Sequence, residues 1–390
     1  MNNKNLYVGR EHSLIKHELL KNYLEKLLFI VASGGVKEIT YIDCFAGPWG
    51  DESEDLEGTS IAISLNILSK VKMSLEKAPH NKNNIKYRAI FIEKDKNRYK
   101  KLSTYLNHNS PDYIECHHIN DDYFNCQDEI LKLCGISFAF FFIDPKGWRD
   151  VGIPKLHKFL ARKNSEFLIN FMYDFLNRAV GMEAQRNQVS QLLGALSDSQ
   201  FEEFTLLNSN EREEKIVNYY RELLKKFMPS RSKARSYYST VLFKDKERTK
   251  YHMVYLTSHP KGIVEFSRIS EHVDIFQRKV RCQTQIEKKQ NDTGMIDLFG
   301  INQNEFQNIS SINIHDVRQF WLETLSNKPQ PYSESDLADI LEKTGWLESD
   351  LQEAFGSLIK DNSVENIDIK GRRISKYIHF NKNERLKKIL

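Results

Sequence analysis

The chain is poor in cysteine and has no paired cysteine motif. Cys44, Cys116, Cys126, Cys134 and Cys282 are the 5 present in 390 residues, and no two form a C-x-x-C. An odd number without that spacing argues against a disulfide framework and against a zinc finger, and leaves them as small buried or incidental residues. No apolar run approaches the length of a membrane span, and the opening MNNK lacks the apolar core of a secretory signal. A cytoplasmic protein with no membrane partner is therefore expected. The pairs His12, His17 and His117, His118 have no partner cluster at metal-ligand spacing, so no metal is expected. A G-x-x-x-x-G-K-[ST] element is absent, which disfavours a P-loop ATPase. Charge is nearly balanced as well: 57 Lys and Arg against 53 Asp and Glu leave +4. That balance does not by itself call for nucleic acid.

What is present is an ordinary globular composition, 40% hydrophobic and 28% charged, long enough for one large and one small domain. The basic residues are clustered. Arg231, Lys233 and Arg235 form one group, and Lys244, Lys246, Arg248 and Lys250 another. Arg278, Lys279 and Arg281 follow, then Lys370, Arg372, Arg373 and Lys376. Each cluster alone suits solvated surface, whereas a fold that aligned them would make a basic face.

Residues 13–32, SLIKHELLKNYLEKLLFIVA, have apolar positions at helical spacing. Strand-like runs follow at 38–44, 87–92, 113–118, 137–143 and 166–171, with helical stretches at 59–77 and 95–107. Apolar strands separated by helices predict a parallel sheet covered on both faces. Residues 174–228 read as a polar helical insertion. SYYSTVLF (236–243) and YHMVYLTS (251–258) then form a late hairpin around KDKERTK. Residues 283–313 lose periodicity, so 283–330 is expected to be a connection after a domain over 1–282. In the tail, helices at 333–344 and 348–361 precede the strand-like runs VENIDI and RISKYIHF, with Lys370 and Arg372 at the turn. That order predicts a winged-helix-like domain at 331–390, a module that touches nucleic acid or docks protein.

The chemistry sits at the strand ends. YIDCFAGPWG, residues 41–50, closes the first strand with Asp43 and enters a turn containing Phe45, Ala46, Gly47 and Gly50, after which a helix starts near Ser60. Glycine there lets backbone approach a ligand without a Cβ clash. Glu93 ends the second strand, Asp121 follows the third and Asp144 closes the fourth. In open α/β sheets ligands bind outside the carboxyl ends of the strands, so these acids converge on one crevice. The order matches a class I S-adenosylmethionine (SAM) methyltransferase. In such a site Asp43 faces the cofactor's ammonium group, Glu93 accepts both ribose hydroxyls, and Asp121 accepts from the adenine amino group. Each acid alone would also serve as a cap or turn residue. The G-P-W-G turn lacks the third glycine of a G-x-G-x-x-G fingerprint, which disfavours a nicotinamide cofactor.

Asp144-Pro145-Lys146-Gly147-Trp148 is the candidate catalytic element. Amino-group methyltransferases use Asp or Asn before Pro-Pro-aromatic to accept hydrogen bonds from an exocyclic amine, while the aromatic stacks on the base. Here Lys146 and Gly147 displace the aromatic by one place. Asp144 capping a turn, with Trp148 packed in the core, is the alternative.

The chain resembles the three-Cys-motif partner (TcmP) proteins of bacteria, archaea and phages over roughly residues 10 to 280. The matching pieces are His17 to Tyr23, YIDCFAGPWG, GTSIAI, FIEKD, FFIDPKGW, LINFMYDFLNR and YHMVYLTSHPKGIVEF. The resemblance implies a SAM-methyltransferase-like domain, with a protein carrying three clustered cysteines as a partner. The expected function is methylation of DNA or RNA, at a base amino group. A non-catalytic subunit that keeps the cofactor fold and serves a partner protein is the second reading.

Overall fold

A computed structural model describes residues 11–47, 56, 58–77, 84–229, 233–243, 247–293, 312–369 and 376–389. The chain divides into two compact units, Met1–Ser258 and His259–Leu390. The first unit opens with α1 (Glu11–Ser33) and β1 (Glu38–Asp43). It continues through α2 (Ser60–Glu76), β2 (Lys86–Ile92), α3 (Lys96–Asn109) and β3 (Ile114–Ile119). Next come α4 (Gln127–Cys134), β4 (Phe138–Ile143), α5 (Ile153–Leu160) and β5 (Ser165–Phe171). The segment read as an insertion contains α6 (Tyr173–Val180), α7 (Arg186–Leu192), α8 (Asp198–Leu206) and α9 (Ser209–Lys225). β6 (Arg235–Leu242) and β7 (Thr249–Thr257) close the unit.

The seven strands form one sheet in the order β3-β2-β1-β4-β5-β7-β6. β1 to β5 pair in parallel. β7 lies antiparallel to β5, with Ile169 opposite Val254, and β6 is antiparallel to β7. The result is a mixed α/β, Rossmann-like sheet with one reversed strand, as the late hairpin predicted. Its centre is dry. Phe140, Phe141, Phe142 and Ile143 on β4 are fully buried, as are Phe167, Leu168 and Ile169 on β5. An unbroken apolar run fits here because helices cover both faces.

One polar group interrupts this core. Glu166, near the start of β5, is buried and takes hydrogen bonds from Tyr23 (3.0 Å), Tyr255 (2.8 Å) and Thr257 (2.7 Å). Tyr23 belongs to α1, and the other two belong to β7. Burial holds the Glu166 carboxyl above its ordinary pKa against the pull of those three donors. A single side chain thus joins the reversed strand and the first helix to β5.

The second unit holds α10 (Pro260–Thr293), α11 (Ile314–Thr324), β8 (Gln330–Tyr332), α12 (Glu334–Thr344), α13 (Glu348–Lys360), β9 (Val364–Asn366) and β10 (Glu384–Lys388). Its strands pair antiparallel in the order β8-β10-β9. Three details differ from the sequence reading. The division falls after Ser258, because the stretch after β7 begins a long helix of the second unit. That helix runs past 282, and α11 lies in the stretch expected to be a connection. Gln, Glu and Lys after 282 are good helix formers and need no apolar period to stay helical. The last strand is Glu384–Lys388; of the run RISKYIHF, residues 373–375 lie outside the described residues and 376–380 form no strand. Gln352 on α13 explains this: its Oε1 accepts from the backbone N–H of Tyr377 (2.8 Å) and Ile378 (3.0 Å), and its Nε2 donates to Ile378 O (2.8 Å). A side chain takes the hydrogen bonds that a ladder would have used.

The Glu166 network makes a stability prediction. Glu166→Ala removes the acceptor that three buried hydroxyls share and should cost about 1–3 kcal/mol, while Tyr255→Phe should cost about 1 kcal/mol or less. Urea melts of both variants measure this, and equal, negligible losses would show that the network carries no stability.

Candidate functional site

The site is built where β1, β2, β3 and β4 end. Asp43 closes β1 and is fully buried. Its Oδ1 accepts from the backbone N–H of Phe45 (3.1 Å), and its Oδ2 accepts from Ser60 Oγ (2.5 Å). The carboxyl therefore joins the turn after β1 to the first residue of α2. Burial is the main force raising its pKa, from 3.8 to about 7; the Ser60 hydroxyl and Phe45 N–H oppose the shift, and nearby Asp144 adds to it. Ala46 donates its N–H to Ile92 O (2.8 Å), which lays the turn along the end of β2.

Glu93 follows β2, is buried, and accepts from the N–H of Asp95 at 2.7 Å. Asp95 in turn caps α3 by accepting from Arg98 N (2.9 Å). Desolvation raises the pKa of Glu93, with the Asp95 N–H and Arg98 working against it. Gly47 meets it closely. A Cβ on Gly47 would stand 2.0 Å from Glu93 Oε2 and 3.2 Å from Arg98 Cδ, so only glycine fits. Gly50, the other predicted glycine, lies outside the described residues, as do Pro48 and Trp49.

A cavity of about 270 Å³ opens beside these groups, near the lower end of the usual range for small-molecule sites, ~300–1,000 Å³. Phe45, Glu93, Asp121, Tyr123, Lys146 and Asp150 are among its lining residues. Three predicted residues, Phe45, Glu93 and Asp121, thus share one cavity. The Phe45 and Tyr123 rings stand 5.1 Å apart and give it an apolar wall. Asp121 accepts from Asp122 N (2.6 Å) and Asn125 Nδ2 (2.9 Å), so it also shapes the loop after β3. Asp43, Ala46, Gly47 and Ser60 are not among the cavity's lining residues; Asp43, Ala46 and Ser60 fasten the turn that carries Phe45.

The second predicted group falls elsewhere. Asp144 Oδ2 pairs with Lys16 of α1, and Oδ1 accepts from Asn170 Nδ2 on β5 at 2.7 Å. Neither Asp144 nor Pro145 nor Trp148 lines the cavity, whereas Lys146 does. Pro145 is buried, and Trp148 sits at the head of a short 3-10 turn (Trp148–Val151) with 7% of its surface exposed. The Arg149 guanidinium is 5.6 Å from its ring. The ring takes the core position weighed as the alternative to base stacking.

Sequence reasoning missed Tyr123, Lys146, Lys16 and Asn170 as parts of the site. Tyr123 stands two residues after Asp121 and Lys146 two after Asp144, so proximity to a predicted acid was their available signal. Lys16 and Asn170 carry none, because only folding brings α1 and β5 to Asp144. Among the described residues, no group of three or more His, Cys, Asp or Glu is placed to hold a metal. No described helix is long and apolar enough to cross a membrane.

The basic clusters are partly spent on internal pairs. Arg248 meets Asp174 (2.8 Å), Arg278 meets Asp274 (2.7 Å), and Lys376 meets Glu348 (2.8 Å). Lys370, Arg372, Arg373, Arg231, Lys244 and Lys246 lie outside the described residues.

No family model matches the chain, and no curated protein matches it. Among solved structures it is similar to the crystal structure of protein LPL1258 from Legionella pneumophila, of family DUF519. The TM-score is 0.35 at 13% identity, covering 67% of this chain and 91% of that one. A likeness this slight carries no argument about activity. The similarity to TcmP proteins rests on the quoted motifs alone.

Asp43 yields a pH prediction. Between pH about 4 and 7 the folded chain holds a proton on Asp43 that the unfolded chain has released, so this group costs stability as pH rises. Asp43→Asn removes that loss. Relative to wild type, the variant should gain at most about 1.4 kcal/mol per pH unit across that window and level off above it. Denaturant melts at pH 5 and pH 8 test it; a difference independent of pH would mean that Asp43 is ionised throughout.

Proposed function

We propose that the protein is a SAM-dependent methyltransferase acting on an amino group of DNA or RNA. The observation that carries this reading is the sheet order β3-β2-β1-β4-β5-β7-β6 with β7 reversed, which is the class I methyltransferase order. A nicotinamide-binding Rossmann sheet runs 3-2-1-4-5-6 without a reversed strand. The cavity at the ends of β2 and β3 supports it further, with acids where ribose and adenine would be read. Gly47, where a Cβ would collide with the Glu93 carboxylate, lets the turn after β1 lie directly against a residue that lines the cavity.

In this reading Glu93 holds the ribose hydroxyls, Asp121 takes the adenine amino group, and the Phe45 and Tyr123 rings flank the base. Asp43 and Ser60 hold the turn that bears Phe45 and Gly47. The cofactor, when bound, supplies an electrophilic methyl group. Asp144 accepts hydrogen bonds from the acceptor amine and so aims its nitrogen lone pair. We read the second unit as winged-helix-like from its order of helix, strand, two helices and two strands. Its α13 exposes Ser349, Glu353 and Lys360, while Tyr377 lies over Gly356, where a Cβ would come 2.2 Å from the ring. A helix so covered and so poor in cations is not suited to read bases. Any nucleic-acid contact by this unit is better made through phosphates.

A non-catalytic subunit, serving a partner protein such as one with three clustered cysteines, is favoured by one observation. Asp144 is held at both oxygens and does not line the cavity.

Calorimetry with SAM and transfer of labelled methyl to nucleic acid separate the readings. Glu93→Ala should weaken SAM binding by about 1.5–3 kcal/mol, as for hydrogen bonds to a charged group. Asp144→Ala should abolish transfer and leave SAM affinity intact. Binding without transfer by the wild type would favour the non-catalytic subunit, and no binding at all would refute the methyltransferase.

A further inference from the structure

We propose that Lys16 is a positioning residue for the reaction, acting with Asn170 to orient the Asp144 carboxylate. The proposal rests on the reading of Asp144 as the group that receives the acceptor amine. Its basis is a constellation drawn from three separate elements. Lys16 comes from α1 and meets Oδ2; Asn170 comes from β5 and meets Oδ1 at 2.7 Å. Both partners of the ion pair are well enclosed, with side-chain exposures of 12% and 14%. A carboxylate fixed at each oxygen has one orientation.

The charge environment makes the ammonium matter. The groups facing Asp144 are His12 and Lys16 from α1, Tyr41 and Asp43 from β1, Asn170 from β5 and Tyr251 from β7. His12 is held to a pKa of about 4 by burial and by Lys250 and Lys16, so it is neutral near pH 7. Tyr41 and Tyr251 are pushed to higher pKa by burial and stay neutral too. Lys16 is then the cation in direct contact. The ammonium against Oδ2 and the amide against Oδ1 hold the carboxylate in place. Because a carboxylate oxygen has two lone pairs, Oδ2 can receive an amine N–H while still paired to Lys16.

The location of Lys16 is built in. Tyr23, seven residues on and two turns along α1, is anchored on Glu166, and Tyr251 donates to the backbone oxygen of His12 at 2.5 Å. From Glu166 to Asn170 the strand advances about 13 Å, and from Tyr23 back to Lys16 the helix advances about 10 Å. The helix therefore runs alongside β5 with Lys16 delivered to the strand end.

The experiment compares Lys16→Met and Lys16→Arg with wild type and Asp144→Ala, measuring SAM affinity by calorimetry and the kcat and KM of methyl transfer. Lys16→Met should lower kcat on the order of 10²-fold, as a misplaced reacting group does, with SAM affinity within about twofold. Lys16→Arg, which keeps a cation against Oδ2, should recover most of the lost rate. Lys16→Gln replaces the Met variant if that one does not fold. Wild-type rate in the neutral variant, beside an inactive Asp144→Ala, would overturn the proposal and leave the methyltransferase reading standing. Arginine performing no better than methionine would reduce Lys16 to a structural contact and overturn it too. A wild type that binds SAM but transfers no methyl would overturn reading and proposal together.

Discussion

The Glu166 carboxyl, shut away from water among three hydroxyls, is the contact on which the arrangement of the first unit depends. Burying an acid is unfavourable unless donors surround it. Those donors must come from whatever lies beside β5. Tyr255 and Thr257 can reach it only if β7 is the neighbour, and Tyr23 only if α1 packs across the same place. The reversed strand and the first helix are thereby specified together. A strand slipped by one residue would turn Tyr255 and Thr257 to the opposite face and leave the acid unmet.

From that anchor the site follows. With Tyr23 fixed, α1 carries Lys16 to Asp144 at the far end of β5, beside Asn170. On the other side of β4, Asp43 fastens the turn after β1 to α2, and Ala46 fastens it to β2. Gly47 then passes so close to Glu93 that no side chain could stand between them. Two arrangements result, one a cavity with acids and aromatic rings, the other a clamped carboxylate. They occupy the same edge of one sheet because parallel strands end together.

Buried acids in this unit do different work. Asp43 and Glu93 are both raised in pKa, and in both burial is the leading cause. Asp43 faces inward and organises backbone; Glu93 borders the cavity. Their sequence contexts are alike, each an acid at the end of an apolar strand. What separates them is which side of the turn has room, and that is a property of packing.

The parallel strands, the acids at their ends and the late hairpin were legible in the sequence, because each is written in local apolar runs and their punctuation, whereas the strand order was not. Phe45, Glu93 and Asp121 were legible as neighbours for the same reason. The tail was partly legible: its helices carry capping signals, but Tyr377 and Ile378, in a run that alternates like a strand, give their backbone N–H groups to Gln352. Trp148 has the position of a stacking residue in its motif and the burial of a core residue in space. Lys16 and Asn170 have no local mark at all. Local pattern determines which segments become strands and helices and where their acids fall, since that depends on near neighbours. Which face each acid presents, and which cation meets it, was decided only when α1, β5 and β7 were packed together, because burial and ion pairing belong to groups distant in the chain.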